Sequence, residues 1–518
     1  MQDKKYNVWL PLWFSITMIA GIFFGYKMRD GIPGKKFFSI EKLNPVNEVL
    51  NLVKDKYVDT VNLKSLSDTA IEALLSQLDP HSLYIPPSEL EQVNEDIAGN
   101  FFGIGIEYNI YNDTLNVINV LDDGPGHKAG LQSGDKILTA NGHILYGSKI
   151  TSDSIRILLR GPLNSKVNLV VLRNGQKQNF TLTRDLIPIS SVDASYMLDS
   201  ITGYIRLNKF SQHTHREFAL AVEALQKKNM KNLVFDLREN GGGVLEEAID
   251  IADEFLSGNK LITYTEGAHM AKKEYRCKIP GLFETGKLVV LCDMGTASAS
   301  EVIIGALRDW KRATIIGKRS FGKGLVQDQF ELSNGGALRL TVAKYYTPLG
   351  KSIQRSYANG SKAYYEAISD RYISHLPGHD TLHLNSIAAS DSGGIAPDIY
   401  IPFDTAAGLL SAKIYVRGTL SSFGYFYYLK NKTSLSQYRN PSAFASGFKV
   451  TPEDWESFGL LSISDSINLS KISTAEKDYL TGKIRSAIAR QIWRNEGYYE
   501  VENMSDPAIK EALRAIGQ

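Results

Sequence analysis

Two residues of the sequence, Ser298 and Lys323, have the types and surroundings that acyl-transfer chemistry requires. Ser298 lies in the stretch DMGTASASEVIIGALRDW, where a buried strand is predicted to turn into a helix. A hydroxyl at such a turn can attack a substrate carbonyl, and the N–H group of Ala299 is available to the developing oxyanion. The structural alternative is a capping box, because Ser298 and Glu301 have the S-x-x-E spacing. The local sequence leaves both roles open.

Lys323 lies in GKRSFGKGLVQDQF (317–330), between two glycines and beside predicted apolar strands. Burial would disfavour the charged form of its amine, lower its pKa and give a neutral general base. If this segment is a strand, Gln327 lies on the same face and can accept a hydrogen bond from the amine. The alternative is a surface lysine whose amine reaches solvent.

The same segment matches the phosphate-loop pattern G-x-x-x-x-G-K from Gly317 to Lys323. Gly324 follows where that pattern has Ser or Thr, and the next residues alternate as a strand rather than beginning a helix. Both differences argue against phosphate binding.

A Gly-rich stretch, DLRENGGGVL (236–245), joins a predicted strand to a predicted helix. Its three glycines free backbone N–H groups at a helix N-terminus, where negative charge is stabilised. The alternative is a turn that only reverses the chain, and the stretch alone does not decide between the two.

Three histidines, His375, His379 and His383, recur every four residues, a spacing that would align metal ligands on a helix. Pro377 and Gly378 lie between them and forbid a regular helix. The sequence therefore predicts a polar surface insertion here, and neither a metal ion nor another cofactor.

Composition narrows the class of protein. The chain has 518 residues, length for roughly three domains of about 150 residues each, with 43% hydrophobic and 22% charged residues. These values exclude a disordered, collagenous or wholly membrane-embedded chain. The 58 Lys and Arg nearly balance the 56 Asp and Glu, so no nucleic-acid partner is predicted. Two cysteines, Cys277 and Cys292, are too few for a disulfide framework or a zinc ribbon.

The N-terminus carries 21 consecutive uncharged residues, from Tyr6 to Tyr26. As a helix they would reach about 31 Å, the thickness of one bilayer core. The sequence predicts a retained single-span membrane anchor. The alternative is a cleaved signal peptide, although no A-x-A-like cleavage site follows.

Periodicity predicts a multi-domain α/β protein of five segments. They are a membrane anchor at 1–30, a linker with a helical segment at 31–98, a β-rich domain at 99–187, an α/β core at 188–403 with an insertion at about 356–391, and a mostly helical extension at 404–518.

The segment 99–187 resembles a PDZ domain. The resemblance rests on FFGIGIEY (101–108), AGLQSGDKIL (129–138) and Asn141–Gly142, with Gly126 where the family usually has Ala. It implies that a protein C-terminus is added as a strand to a sheet edge. The terminal carboxylate would lie over backbone N–H groups of Phe102, Gly103, Ile104 and Gly105, where glycines permit close approach. The alternative is a Gly-rich strand start without a ligand.

Residues 45 to 402 as a whole resemble the C-terminal processing proteases, which are serine peptidases with a Ser–Lys dyad and an inserted PDZ domain. Besides the PDZ segment, the matching stretches occur in the family's order: LDPHSLY (78–84), GYIRLNKFS (203–211), DLRENGGG (236–243), TASASE (296–301), FGKGLVQ (321–327), YYTPLGKSIQ (345–354) and GIAPDI (394–399).

This resemblance implies an α/β core with crotonase/ClpP-like layers and assigns the site residues. They are Ser298 as nucleophile, Lys323 as base, Gln327 as the residue that orients the lysine, and an oxyanion hole from the N–H of Ala299 with that of Gly242 or Gly243. Gly241 stands where the family often has Pro, which blurs which of the two glycines donates.

The resulting prediction is a membrane-anchored serine endopeptidase in the periplasm or envelope of a bacterium. It would bind protein or peptide substrates by their C-termini. The sequence leaves open whether it forms a homo-oligomer. One alternative is a catalytically silent PDZ scaffold that tethers protein tails. Another, from fold analogy alone, is an enzyme of the acyl-CoA hydratase type.

Overall fold

The computed structural model describes residues 9–30, 45–147, 150–373, 393–404 and 406–517. The chain divides into two compact units, residues 1–71 and 72–518. The N-terminal helices are α1 (Leu10–Asp30), α2 (Pro45–Lys56) and α3 (Leu63–Leu75), the last of which crosses the division. The helical segment predicted within residues 31–98 therefore includes α2 and α3, and residues 31–44 of the predicted linker lie outside the described residues.

Within these ranges, no helix combines the length and the apolar character needed to cross a membrane. The predicted anchor at residues 1–30 gains no support from this finding.

The β-rich region has a six-stranded antiparallel sheet with the order β3-β4-β5-β7-β8, and β6 pairs with β5. The elements of this part of the chain are β1 (Leu83–Ile85), α4 (Pro87–Ala98), β2 (Asn100–Gly103), β3 (Ile106–Tyr111), β4 (Thr114–Val120), α5 (Pro125–Lys128), β5 (Lys136–Ala140), β6 (His143–Ile144), α6 (Ser152–Leu159), β7 (Lys166–Arg173), β8 (Gln176–Thr183) and β9 (Asp185–Pro188). Strands β4 and β7 coincide with two runs of the sequence whose alternating pattern predicts strands, TLNVINV (114–120) and KVNLVVLR (166–173). Strands β2 and β9 pair separately, with Asn100 opposite Pro188, so the chain enters and leaves this region at adjacent positions.

The α/β core is a six-stranded sheet with the order β10-β11-β12-β15-β16-β19, in which only β10 is antiparallel to its neighbour. The elements from residue 192 onward are β10 (Val192–Met197), β11 (Thr202–Leu207), α7 (Thr214–Lys227), β12 (Asn232–Asp236), α8 (Leu245–Asp253), β13 (Leu261–Gly267), β14 (Met270–Arg276), β15 (Leu288–Cys292), α9 (Ala299–Asp309), β16 (Thr314–Gly317), β17 (Leu325–Glu331), β18 (Ala337–Tyr346), α10 (Gly360–Ile373) and β19 (Ile399–Tyr400). Loops at the carboxyl ends of parallel strands are where α/β proteins place their sites.

A second sheet with the order β1-β18-β13-β14 carries β17 paired with β18. Strand β17 begins at Leu325, so Lys323 lies in the preceding loop. The prediction that Lys323 and Gln327 share the face of one strand is therefore wrong, because β17 begins only after the glycines that flank Lys323.

The predicted insertion at 356–391 contains α10. His375, His379 and His383 lie outside the described residues. Among the residues that the structure does describe, no group of three or more His, Cys, Asp or Glu side chains is arranged to hold a metal ion.

The extension after residue 404 is helical in its described residues. Its helices are α11 (Leu409–Arg417), α12 (Thr419–Leu435), α13 (Pro441–Gly447), α14 (Pro452–Ser464), α15 (Thr474–Asn503) and α16 (Pro507–Gly517). Helix α16 packs Ile509 and Ala512 against Val234 and Val289 of the core sheet. The neighbouring positions Leu233 and Phe235 pack instead with α7, α8 and α9. Since successive strand residues face opposite sides, the extension covers the second face of the core sheet.

Candidate active site

Ser298 lies at the junction between the buried strand β15 and helix α9, in an unusual backbone conformation. Its φ is 56° and its ψ is −116°, a region that residues other than glycine rarely adopt. Hydrogen bonds hold this turn. Asp293 Oδ1 accepts two of 2.9 Å, one from the N–H group of Gly295 in the turn itself and one from that of Glu239 in the Gly-rich stretch. Backbone strain that surrounding contacts enforce is typical of functional sites.

The carboxylate of Glu301 joins the serine turn to the lysine loop. Its Oε2 accepts hydrogen bonds of 2.9 Å from the backbone N–H groups of both Ser298 and Lys323. Its Oε1 accepts from the Gly322 N–H at 2.8 Å and from the Ser320 hydroxyl at 2.5 Å. The side chain is fully buried, and burial raises its pKa to about 7 against the opposing effect of these hydrogen bonds. One carboxylate oxygen therefore fixes the two backbones next to each other.

The hydroxyl of Tyr345, on β18, forms a second link between the same two segments. It contacts the backbone carbonyl of Ser298 at 2.9 Å and also the carbonyl of Lys323. The ring is buried, and burial raises the pKa of this tyrosine well above its ordinary value. The phenol therefore stays protonated and able to donate.

The Lys323 amine donates a hydrogen bond of 2.8 Å to Gln327 Oε1, and Gln327 Nε2 donates to the backbone carbonyl of His81 at 2.5 Å. Burial lowers the pKa of Lys323, and the positive charge of Arg339 lowers it further. In the described structure no hydrogen bond joins the amine to the Ser298 hydroxyl. Such contacts are often long in proteins without a bound substrate.

The capping box that the alternative interpretation of Ser298 predicts is present, because Glu301 accepts from the Ser298 N–H. This arm of the box uses the backbone of the serine and not its hydroxyl. A capping role therefore does not exclude a chemical one.

Three backbone N–H groups are the candidates for an oxyanion hole. That of Gly242 donates to Asn240 Oδ1 at 2.9 Å, whereas those of Ala299 and Gly243 donate to no residue in the described part of the chain. Gly242 and Gly243 have φ values of 94° and 148°. A Cβ on Gly242 would come within 2.8 Å of Ser298 Cβ and 2.9 Å of Ala299 N. The glycine loop therefore lies directly against the serine turn.

The predicted carboxylate-binding residues are divided between two elements. Phe102 and Gly103 belong to β2, and only Ile104 and Gly105 form the loop before β3. The carbonyls of Ile104 and Gly105 accept hydrogen bonds of 2.8 and 2.9 Å, whereas their N–H groups have no acceptor among the described residues. Strand β3 is at the edge of its sheet. A free edge next to two free N–H groups is the arrangement that strand addition of a peptide terminus requires.

Sequence reasoning assigned no role to His81 and Tyr345, although each lies in a quoted motif, LDPHSLY and YYTPLGKSIQ. Burial lowers the pKa of His81 to about 4, with the charge of Lys323 as the next contribution. Its ring stays neutral, and its carbonyl anchors Gln327. Glu301 was interpreted only as a helix cap, because the S-x-x-E pattern gives no sign of the lysine loop.

Two family models match the chain. The model of peptidase family S41 matches residues 201–360, and the PDZ domain model matches residues 103–183.

Curated relatives match more than half of the chain. The chain is 34% identical over 349 residues to a carboxy-terminal-processing protease of Bartonella bacilliformis, covering 65% of this chain and 80% of the relative. It is 38% identical over 315 residues to a carboxyl-terminal-processing protease of Synechocystis sp., covering 59% of this chain and 72% of the relative. Among solved structures, the photosystem II D1 C-terminal processing protease is 28% identical with a TM-score of 0.35, over 68% of this chain and 86% of that one.

Proposed function

The chain belongs to peptidase family S41 and is a serine protease of the carboxyl-terminal-processing type, and from that premise we propose that Ser298 and Lys323 form its catalytic dyad. The observation that carries this proposal is Glu301 Oε2, which binds the backbone N–H groups of both residues at 2.9 Å. The two residues come from loops after different strands, and the shared acceptor Glu301, together with the Tyr345 hydroxyl, links their backbones.

In this proposal neutral Lys323 takes the proton of the Ser298 hydroxyl as it attacks the peptide carbonyl. The N–H groups of Ala299 and of Gly243 or Gly242 stabilise the oxyanion. The resulting ammonium gives its proton to the leaving amine, and water then hydrolyses the acyl-enzyme with the lysine again as base. Gln327, held by the His81 carbonyl, aims the amine.

We propose further that the groove beside β3 binds substrate C-termini. Support comes from the PDZ match and from the free N–H groups of Ile104 and Gly105. In this proposal the groove binds the C-terminus of a substrate and the dyad cleaves the same substrate. The alternative of a silent scaffold predicts binding without turnover, and the acyl-CoA alternative predicts CoA binding. Membership of a peptidase family favours neither.

Membrane attachment in a bacterial cell envelope is likewise a proposal. It is supported by the apolar side chains that α1 exposes, among them Trp13, Phe14 and Phe23 at 63–71% exposure. Fractionation of the full chain and of a form lacking residues 1–30 tests it. We expect the full chain in the membrane pellet and the shortened form in the supernatant, and an equal distribution of the two forms would contradict attachment through residues 1–30.

The dyad is tested with Ser298→Ala and Lys323→Ala, each assayed on a peptide with a free C-terminus. We expect kcat to fall by about 10⁴- to 10⁶-fold, as when nucleophiles and bases of serine peptidases are removed. Tail binding, followed by fluorescence anisotropy, stays within about twofold. The matched control is Ser446→Ala, at an exposed serine of α13. Cleavage retained by Ser298→Ala would refute the dyad.

A further inference from the structure

The groove beside β3 has two walls, and they come from distant parts of the chain. Its volume is about 500 Å³. One wall is α6 with the residue that follows it, and it contributes Arg156, Leu159 and Arg160. The other wall comes from the C-terminal extension, with Ser421 of α12 and Arg490 and Gln491 of α15. The extension lies outside the residues that either family model matches.

The alternation of β3 divides its side chains between these two walls. Ile106, Tyr108 and Ile110 pack against the core of the β-rich domain, on the α6 side. The intervening residues face the extension: Glu107 contacts Arg490, and the Tyr111 ring stacks on Tyr425 at 5.3 Å between centroids. The register irregularity of this strand pair adds a residue to β4, so the alternation along β3 is unbroken.

A peptide tail that pairs with β3 as an antiparallel strand divides its side chains between the two walls in the same way. The reason is that residues opposite each other on paired strands point to the same face of the sheet. With its carboxylate at the N–H groups of Ile104 and Gly105, its last residue lies opposite Ile106 and faces α6. The penultimate residue then lies opposite Glu107 and faces the extension. In a free-standing domain of this kind, that side would be open to water.

The charged residues that line the groove determine which side chain of a bound tail the second wall favours. Three guanidinium groups line the groove, against the single carboxylate of Glu107. Arg160 is paired with Glu95, just outside the lining. Arg490 is engaged more loosely: its Nη2 lies 3.4 Å from Glu107 Oε2, with 39% and 49% of the two side chains exposed, and its Nε donates to Asn495 at 3.2 Å. A guanidinium has five N–H donors, so Arg490 can bind a second carboxylate.

We propose that the C-terminal extension forms the second wall of the tail-binding groove and that Arg490 selects substrates with an acidic penultimate residue. This inference rests on the proposed tail binding. It makes Arg490 a specificity residue of the same site, and it gives the extension a part in choosing substrates.

The test measures binding of labelled peptides to the full chain carrying Ser298→Ala, by fluorescence anisotropy. Three peptides differ only at the penultimate position, which is Glu, Gln or Lys, and an amidated version of the Gln peptide accompanies them. We expect the Glu peptide to bind about two- to fivefold more tightly than the Gln peptide, the range of partly exposed ion pairs. The Lys peptide is expected to bind most weakly.

Variants separate recognition from folding. Arg490→Gln abolishes the preference for Glu, Arg490→Glu reverses it in favour of Lys, and Glu107→Gln increases it by removing the competing carboxylate. The quantity compared is the ratio of Glu-peptide to Gln-peptide affinity within each variant, so that a general change in groove affinity cancels. The control is Arg514→Gln, at an exposed arginine of α16 paired with Glu511.

An equal preference for Glu in the parent and in Arg490→Gln would overturn the role of Arg490 while tail binding stands. Tighter binding of the Lys peptide by the parent would overturn it as well. Failure of every free-carboxylate peptide to bind, or equal binding of the amidated one, refutes tail binding itself and this inference with it.

Discussion

The Ser298–Lys323 region and the groove beside β3 differ in how their polar groups are satisfied. Around the serine and the lysine, Glu301 and Tyr345 are buried and accept or donate several hydrogen bonds each. In the groove, the N–H groups of Ile104 and Gly105 have no acceptor among the described residues, and Arg490 is half-exposed.

This difference predicts two kinds of response to substitution. A buried network loses the full desolvation free energy of any group that it leaves without a partner. An exposed groove loses only the difference between a ligand contact and a water contact. Changes at the first region should therefore reduce kcat steeply, and changes at the second should alter affinity by small factors.

Outside the proposed dyad itself, the largest expected effect tests the network at Glu301. In Glu301→Gln one oxygen remains to accept and an NH₂ group now faces N–H donors, so the serine and lysine loops separate. We expect kcat to fall on the order of 10²- to 10³-fold, because each buried donor without an acceptor costs about 1–3 kcal/mol. Tail affinity stays unchanged. Steady-state kinetics with anisotropy measures both.

The control for that variant is Glu511→Gln, a glutamate on α16 whose partner Arg514 is exposed. If Glu301→Gln loses kcat and tail affinity together, the carboxylate supports the whole fold, and the contrast between the two regions fails.

Dependence on pH is the next largest effect. Protonated Lys323 cannot accept the serine proton. Glu301, whose pKa is about 7, accepts fewer hydrogen bonds when one of its oxygens carries a proton. Because burial lowers the pKa of Lys323, the active form appears at a lower pH than for an ordinary lysine. We expect kcat/KM to rise with pH. If the loss of a single proton from Lys323 controls the rate, the rise is at most about a hundredfold from pH 6 to pH 8. A flat profile from pH 5 to 9 would count against a lysine base.

The two regions were also unequally predictable from sequence. Alternation predicts strands of the sheet whose edge carries the groove, as in KVNLVVLR (166–173), because local pattern fixes a half-buried antiparallel sheet. The second wall of the groove cannot be predicted from local pattern, since the contacting residues Arg490 and Glu107 are 383 positions apart in the sequence. At the other region, the Lys323–Gln327 contact was expected for a wrong reason. Lys323 makes it from the loop before β17, whereas Gln327 lies in the strand, and the anchor of Gln327 is His81, which no local pattern relates to it.

The groove gives a smaller effect when the tail loses its charge. Replacing the terminal carboxylate by an amide removes the anion that the N–H groups of Ile104 and Gly105 would bind. We expect affinity to fall about ten- to thirtyfold, the lower part of the range of about 1.5–3 kcal/mol for hydrogen bonds to charged groups, because the groove is open to water. The maximal rate of cleavage at saturation stays unchanged. Equal affinity of the acid and the amide would show that the groove does not recognise chain ends.

The smallest effect tests the weaker link of the buried network, the Tyr345 hydroxyl. Tyr345→Phe keeps the ring in place and removes the donor shared by the Ser298 and Lys323 carbonyls, while Glu301 still holds both backbones. We expect kcat to fall about fivefold and the free energy of unfolding by about 1 kcal/mol, the usual net value of one hydrogen bond. The control is Tyr346→Phe, whose ring stacks on Tyr264. A loss as large as that of Glu301→Gln would mean that the two links act as one unit, whereas no loss at all would leave the carboxylate as the sole connection between serine and lysine.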